Sequence, residues 1–184
     1  MKFTVNQYLG KLEHDSHYKV KHITTSFDFD LDTLLKILQN DQFTKLLASE
    51  ESVLNNIVCT RCFNLPEVVS EIDKIFDDNS EGQFNMIVIE DLCDMFNMEF
   101  FKNYLYASSL IVLLFRKLRK LAQIKGMSIM LLERKRRKRY NSKHIDGYIR
   151  TLYDNEITLE ETEGILSIRY SSTLPGSMDQ VTAA

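Results

Sequence analysis

Residues that interrupt regular structure are scarce in this chain, which has only two prolines and six glycines among its 184 residues. This composition does not support a proline- or glycine-rich linker between separate domains. The three cysteines, an odd number, do not suggest a disulfide framework and indicate a reducing compartment. We therefore expect one compact intracellular domain.

Long apolar runs are absent as well. The longest one, Leu110 to Phe115, has six residues, whereas a helix that crosses a bilayer needs roughly 20. The first residues of the chain show no apolar signal region. These features predict a soluble protein, cytosolic or nuclear, that does not interact with membranes.

Charge is abundant but unevenly distributed. Residues 134–139 are six consecutive cations, and the net charge of the whole chain is −3, so the remaining residues carry −9. A local anion-binding surface on a mildly acidic body is the simplest interpretation of this asymmetry.

Short apolar runs alternate with stretches of helical periodicity. Apolar residues at helical spacing predict helices over residues 31–48, from Asn64 through residue 76, and over residues 98–125, with Asn64 and Glu67 as a capping box and Gly126 as a stop. Strands are predicted at residues 20–24, 56–63, 84–89 and 127–132. The run at residues 84–89 is typical of a central parallel strand that is buried on both faces.

The C-terminal region shows a different pattern. Residues 156–160 and 165–170 alternate around Glu163-Gly164, which predicts an antiparallel hairpin. Together the elements predict an α/β fold, with a mostly parallel sheet flanked by helices and the hairpin as an antiparallel edge. The predicted organisation is an N-terminal arm at residues 1–19, a core domain at 20–178 and a tail at 179–184.

Acidic residues follow two of the predicted buried strands. Glu90 and Asp91 end one strand, and Glu133 ends the next, immediately before the basic run. Ligands of parallel sheets bind at the carboxyl ends of the strands. We therefore expect a site for phosphates or a metal ion at this edge.

The order of these segments resembles the core of the RecA superfamily, specifically the eukaryotic recombinases and their paralogues. The resemblance covers about residues 20–178 and rests on the order and spacing of several short motifs rather than on any single one. These motifs lie at residues 22–29, 55–64, 86–91, 113–129 and 172–176. Residues 86–91 (MIVIED) resemble the Walker B strand of the family, so the resemblance implies a RecA-like fold with Glu90 and Asp91 at the Walker B position.

The phosphate-binding loop of that family is missing. Its pattern, Gly-x-x-x-x-Gly-Lys-Ser/Thr, occurs nowhere in the sequence, and that loop holds phosphates with successive backbone N–H groups and a lysine. The position of the family's catalytic glutamate falls on Ser26, which is not a strong base. We therefore expect a pseudo-ATPase that binds no cofactor alone, with any ATP and Mg²⁺ supplied by a partner subunit.

The resemblance also implies partners and a location. It predicts a nuclear subunit that forms a heterodimer with another, ATP-binding recombinase paralogue and assists the recombinase filament on single-stranded DNA in homologous recombination repair. In the family, the strand that residues 127–132 resemble leads into a loop that faces the DNA. The predicted DNA-binding residues are those of this loop: Arg134, Lys135, Arg136, Arg137, Lys138, Arg139, Tyr140 and Lys143.

Other interpretations remain open. The basic run is also typical of a nuclear localisation signal or a solvated loop, in which case the protein is a nuclear adaptor without DNA binding. A metal-dependent phosphohydrolase that uses Glu90, Asp91 and Glu133 is a further alternative. Cys59 and Cys62 are three residues apart on a predicted strand and point to opposite faces, so we expect buried structural cysteines rather than a metal site. We expect Cys93, which follows the strand predicted at residues 84–89, to lie in the core.

Overall fold

The computed structural model describes residues 18–25, 32, 35–36, 54–77, 84–133, 154–162 and 165–172. The chain divides into two compact units, Met1–Lys135 and Arg136–Ala184. The boundary between them falls inside the basic run and therefore inside the core predicted for residues 20–178. Each unit is described by itself.

The first unit contains a four-stranded sheet in which every neighbouring pair of strands is parallel. Its strands are β1 (Val20–Thr24), β2 (Ile57–Arg61), β3 (Met86–Glu90) and β4 (Ser128–Leu132), and their order across the sheet is β2-β1-β3-β4. The predicted α/β class is confirmed. β1 has its predicted bounds, and the other three strands differ from theirs by one or two residues at an end.

The two inner strands carry the core of the sheet. All five residues of β1 are buried, as are the first four of β3, which is the pattern of inner strands in a parallel sheet that is covered on both faces. The prediction of a central strand buried on both faces is therefore confirmed for β3. Lys21 is an unusual member of this core, and its ammonium group lies 3.1 Å from the Glu71 carboxylate and 2.7 Å from the Thr60 hydroxyl.

Helix α1 (Leu65–Asp77) connects β2 to β3 and begins at the predicted capping box. The backbone N–H of Glu67 donates to Asn64 Oδ1 at 2.9 Å, and the Glu67 carboxylate accepts from the backbone N–H of Phe63 at 2.7 Å. These bonds satisfy backbone donors that have no partner within the helix. The apolar face of α1 is buried at Leu65, Val68, Val69, Ile72 and Ile75.

The single helix predicted over residues 98–125 is wrong, because two helices occupy this region. Helix α2 (Leu92–Lys102) ends at Asn103, and helix α3 (Tyr104–Lys125) begins directly after it. Asn103 has an extended backbone, with φ −156° and ψ 103°, and its side chain accepts a hydrogen bond from the backbone N–H of Tyr106 at 3.1 Å. Asparagine favours this N-cap geometry over a helix interior, which is the physical reason for the break.

Helix α3 packs against α1 and ends at Gly126, as predicted. Gly126 has a left-handed backbone, with φ 66° and ψ 21°, a conformation open to glycine at little cost. Polar contacts join the two helices as well: Lys117 forms an ion pair with Asp73, and Lys125 Nζ donates to the carbonyl of Ile75 at 2.8 Å. Of the described residues, no helix has the length and apolar character needed to span a membrane.

The second unit contains β5 (Asn155–Thr162) and β6 (Ile165–Ser172), which pair antiparallel with each other in a separate two-stranded sheet. The prediction that this hairpin forms an edge of the parallel sheet is not supported, since the order of the four-stranded sheet contains neither strand. The helix predicted at residues 31–48 lies mostly outside the described residues, although Asp32, Leu35 and Lys36 are helical.

Candidate functional site

The carboxyl ends of β1, β3 and β4 lie side by side, as parallel pairing requires. Thr24, the last residue of β1, is in register with Glu90, which is in turn in register with Leu132 at the end of β4. The predicted residues Glu90, Asp91 and Glu133 therefore belong to one edge of the sheet, where ligands of parallel sheets bind.

Hydrogen bonds from both neighbouring strands hold the turn after β3. The hydroxyl of Thr25 donates to the carbonyl oxygens of Glu90, at 2.6 Å, and Asp91, at 2.9 Å. On the other side, the backbone N–H of Asp91 donates to the carbonyl of Leu132 at 2.8 Å. Thr25 was not a predicted site residue, and the only signal in the sequence is that it directly follows a strand.

Asp91 turns the chain sharply from β3 into α2. It is buried and has a left-handed backbone, with φ 54° and ψ 34°, which among the described residues no other non-glycine residue shows. Aspartate tolerates this region better than most residues do, although it is strained relative to glycine.

Glu90 faces a buried histidine on the neighbouring strand. Its Oε1 lies 3.4 Å from Nε2 of His22, a residue that is 1% exposed. The two residues belong to diagonal positions of β1 and β3, since His22 is in register with Val88. His22 was not a predicted site residue, although its position two residues before the end of β1 places it on the face that Thr24 and Glu90 share.

Glu133 caps the helix that follows Asp91. Its Oε1 accepts a hydrogen bond from the backbone N–H of Cys93, in the first turn of α2, at 3.0 Å. Although part of the residue is exposed, its carboxyl group lies against protein. This burial, together with the nearby charges of Asp91 and Asp94, raises the pKa of Glu133 to about 7. The hydrogen bonds from Cys93 lower the pKa and offset only part of the rise. Glu133 is therefore a carboxyl group that titrates near neutral pH.

The carboxylates at this edge have separate contacts, Glu90 with His22 and Glu133 with α2. Across the described part of the chain, no group of three or more histidine, cysteine or acidic side chains has an arrangement that could hold a metal ion. The contacts at this edge hold the ends of the strands in place. One carboxyl group among them, that of Glu133, titrates near neutral pH, and Glu133 directly precedes the basic run in the sequence.

The cysteines differ from one another in exposure. Cys62 is buried, as predicted, whereas Cys59 is exposed and Cys93 is partly exposed, so the prediction that these two are buried is wrong. The two cysteines Cys59 and Cys62 both have unreactive thiols at neutral pH. Burial, together with the charges of Glu71 and Glu67, raises the pKa of the Cys62 thiol to about 11. The pKa of the Cys59 thiol is also raised to about 11, by the packing around the thiol and by the charge of Glu90.

Ser26, the six cations at residues 134–139, Tyr140 and Lys143 lie outside the described residues. Glu133, the residue that precedes this basic run in the sequence, is described, and its capping contact holds it beside the first turn of α2.

No protein-family model matches the chain, and no curated protein is significantly similar to it. The resemblance to recombinases therefore rests on the order and spacing of the motifs.

Proposed function

We propose that this protein is a non-catalytic recombinase-paralogue subunit. In this proposal it pairs in the nucleus with an ATP-binding paralogue and assists recombinase filaments on single-stranded DNA during homologous recombination repair. The observation that carries the proposal is the position of the six-residue cation run, which begins directly after Glu133 at the edge that also holds Glu90 and Asp91.

The assignment as a non-catalytic subunit is supported by what a phosphate site requires. A chain that hydrolyses ATP in this superfamily needs a glycine-rich loop and a lysine around the phosphates, and the sequence contains no such motif. Glu90 is in contact with His22, and the turn at Asp91 is held by backbone hydrogen bonds. ATP and Mg²⁺ would then be bound mainly by the partner, with this edge facing the junction between subunits.

The assignment to DNA is supported by charge density. Single-stranded DNA releases condensed counterions when cations neutralise its phosphates, and the slope of log affinity against log salt is about −0.7 for each contact. If all six cations of the run engage phosphates, the slope would be about −4. Tyr140 is suited to stack on an exposed base, a contact that does not depend on sequence.

The DNA assignment is tested by replacing Arg134, Arg136, Arg137 and Arg139 with alanine in the complex with the partner. We expect the slope of log affinity against log salt to become shallower, from about −4 to about −1.4, because two of the six cations remain. The matched control replaces four exposed lysines elsewhere, Lys19, Lys36, Lys74 and Lys102, with alanine, and it should leave the slope unchanged. Unchanged affinity and slope in the Arg134 variant would remove DNA binding from the function of the run.

The pseudo-ATPase assignment is tested by titrating the purified chain with a fluorescent ATP analogue and Mg²⁺. We expect no saturable binding at micromolar concentrations, and saturable binding there would favour an enzyme.

Affinity purification followed by mass spectrometry tests the partner. We expect a second recombinase-like chain that contains a phosphate-binding loop, and recovery of unrelated proteins alone would contradict the proposed assembly.

A further inference from the structure

Helix α3 has an outward face that is sharply different from its buried one. Its buried residues, Ala107, Ile111, Leu114, Phe115, Leu118 and Leu121, lie on one side of the helix. The opposite side exposes apolar residues in its first half, where Leu105 is 75% exposed and Leu113 is 43% exposed. The second half exposes Arg116, Arg119 and Lys120, which are neighbours on a helix because they are three and four residues apart.

The exposed apolar surface continues onto the end of α2. Phe101 is 76% exposed and Tyr104 is 58% exposed, and Tyr104 packs its ring against Phe100 with the ring centroids 5.2 Å apart. This position follows from the break at Asn103, which brings the end of α2 and the start of α3 together at one corner.

The size of this corner distinguishes it from scattered surface residues. With about 200 Å² for a fully exposed aromatic side chain, Phe101, Tyr104, Leu105 and Tyr106 together expose about 500 Å². These residues are close together in sequence at the junction of α2 and α3, and an exposed apolar area of this size is at the upper end for monomers and is frequently functional. A standard protein interface covers about 800 Å² on each partner, so the corner and the adjoining cations together are large enough for one.

The cations on this face differ from the other helical cations. Lys117 is paired with Asp73, and Lys102 is paired with Glu99. Among the described residues, no acidic side chain pairs with Arg116, Arg119 or Lys120. Three adjacent cations that have no acidic partner within the described part of the chain create a positive potential that an acidic segment would neutralise.

We propose that the outward face of α3, together with the corner at Phe101, is a docking surface for a protein segment that carries acidic side chains beside apolar ones. The apolar half would bind the apolar side chains of an amphipathic helix, and Arg116, Arg119 and Lys120 would bind its carboxylates. A protein segment fits better than a nucleic acid because Leu105 and Leu113 have no ring on which a base could stack, whereas the apolar side chains of a protein helix contact leucine and aromatic side chains alike. This proposal uses no residue of the basic run at residues 134–139 and does not depend on the proposed function.

The test uses the full-length chain and a fluorescent peptide with leucines at helical spacing and glutamates beside them. We expect saturable binding, measured by anisotropy, that weakens as salt is added. The variant Arg116→Glu/Lys120→Glu should weaken binding about tenfold or more, and so should Phe101→Ala/Leu105→Ala. The matched controls are Lys19→Glu/Lys74→Glu, with the same change in net charge, and Val58→Ala, and both should bind as the unmodified chain does.

Three outcomes would overturn the proposal. They are an absence of saturable binding, equal binding of a peptide in which lysines replace the glutamates, and equal loss of binding in the control variants. A labelled single-stranded oligonucleotide is the second probe. If the Arg116→Glu/Lys120→Glu variant loses oligonucleotide binding and Phe101→Ala/Leu105→Ala retains all peptide binding, the face binds nucleic acid instead. Circular dichroism of each variant shows whether it is folded, and substitutions of exposed side chains should preserve the fold.

Discussion

The Glu133 carboxylate at the end of β4 accepts a hydrogen bond from the backbone N–H of Cys93 at 3.0 Å, and so it connects the last parallel strand to the first turn of α2. The contact spans 40 residues of sequence. Burial of the carboxyl group, together with the nearby charges of Asp91 and Asp94, raises the pKa of Glu133.

The first prediction concerns the pH dependence of stability. Because the pKa of Glu133 rises from 4.5 to about 7 on folding, the folded state holds more protons than the unfolded state between these values, and the free energy of unfolding falls as pH rises through that window. Part of the residue is exposed, so solvent screening limits the change in the free energy of unfolding across this window to about 1 kcal/mol. Urea denaturation at pH 5 and pH 8 measures it. Glu133→Gln should reduce this dependence, since the amide stays neutral and its oxygen can accept from Cys93; an unchanged pH profile would contradict this role.

The second prediction concerns the neighbour that acts on Glu133. Asp91→Asn removes a negative charge but retains a residue type that tolerates the left-handed backbone. The pKa of Glu133 should move down toward its ordinary value, because the Asp91 charge contributes to its rise. NMR titration of the Glu133 side-chain carboxyl carbon measures the shift. Asp94→Asn is the companion variant and should act in the same direction, whereas an upward shift in either variant would be inconsistent with the geometry.

The third prediction concerns the turn after β3. Thr25→Val removes the hydroxyl that donates to the carbonyls of Glu90 and Asp91, and the loss should cost about 1 kcal/mol of unfolding free energy. Thr25→Ser retains a hydroxyl and serves as the control. Thermal and urea denaturation compare the variants, and equal stability of Val and Ser variants would show that the turn does not need this donor.

The fourth prediction concerns the capping box of α1. Asn64→Ala removes the acceptor for the backbone N–H of Glu67 and should destabilise the protein by about 1 kcal/mol. Glu67→Gln should cost less, because the amide oxygen can still accept from the backbone N–H of Phe63. If urea denaturation shows that Glu67→Gln lowers the free energy of unfolding more than Asn64→Ala does, the capping geometry is not the source of the stabilisation.

The fifth prediction compares adjacent leucines of α3. Leu114 is fully buried and Leu113 is 43% exposed. Leu114→Ala should therefore cost about 2–5 kcal/mol, whereas Leu113→Ala should change stability by about 0.5 kcal/mol or less. Urea denaturation of both variants tests the orientation of the helix. Similar losses at the two positions would mean that the outward face of α3 is packed.

Local patterns in the sequence were sufficient for the strands, the start of α1 and the end of α3. Apolar alternation and runs, the capping box at Asn64 and the glycine at 126 are short-range signals, and the structure confirms each of them. The same kind of reasoning failed at Asn103, because two short-range signals conflict there. Asparagine favours an N-cap, but the apolar periodicity across residues 98–125 indicated one continuous helix.

The sequence by itself determined the α/β class, the absence of a phosphate-binding motif and the position of acidic residues at the ends of two strands. Only the tertiary structure decided which groups meet at that edge. The contacts of His22 with Glu90, of Thr25 with the turn and of Glu133 with Cys93 join residues that are 40 or more positions apart. Parallel pairing brings such residues together, because strands that neighbour one another in the sheet are separated in sequence by a crossover connection.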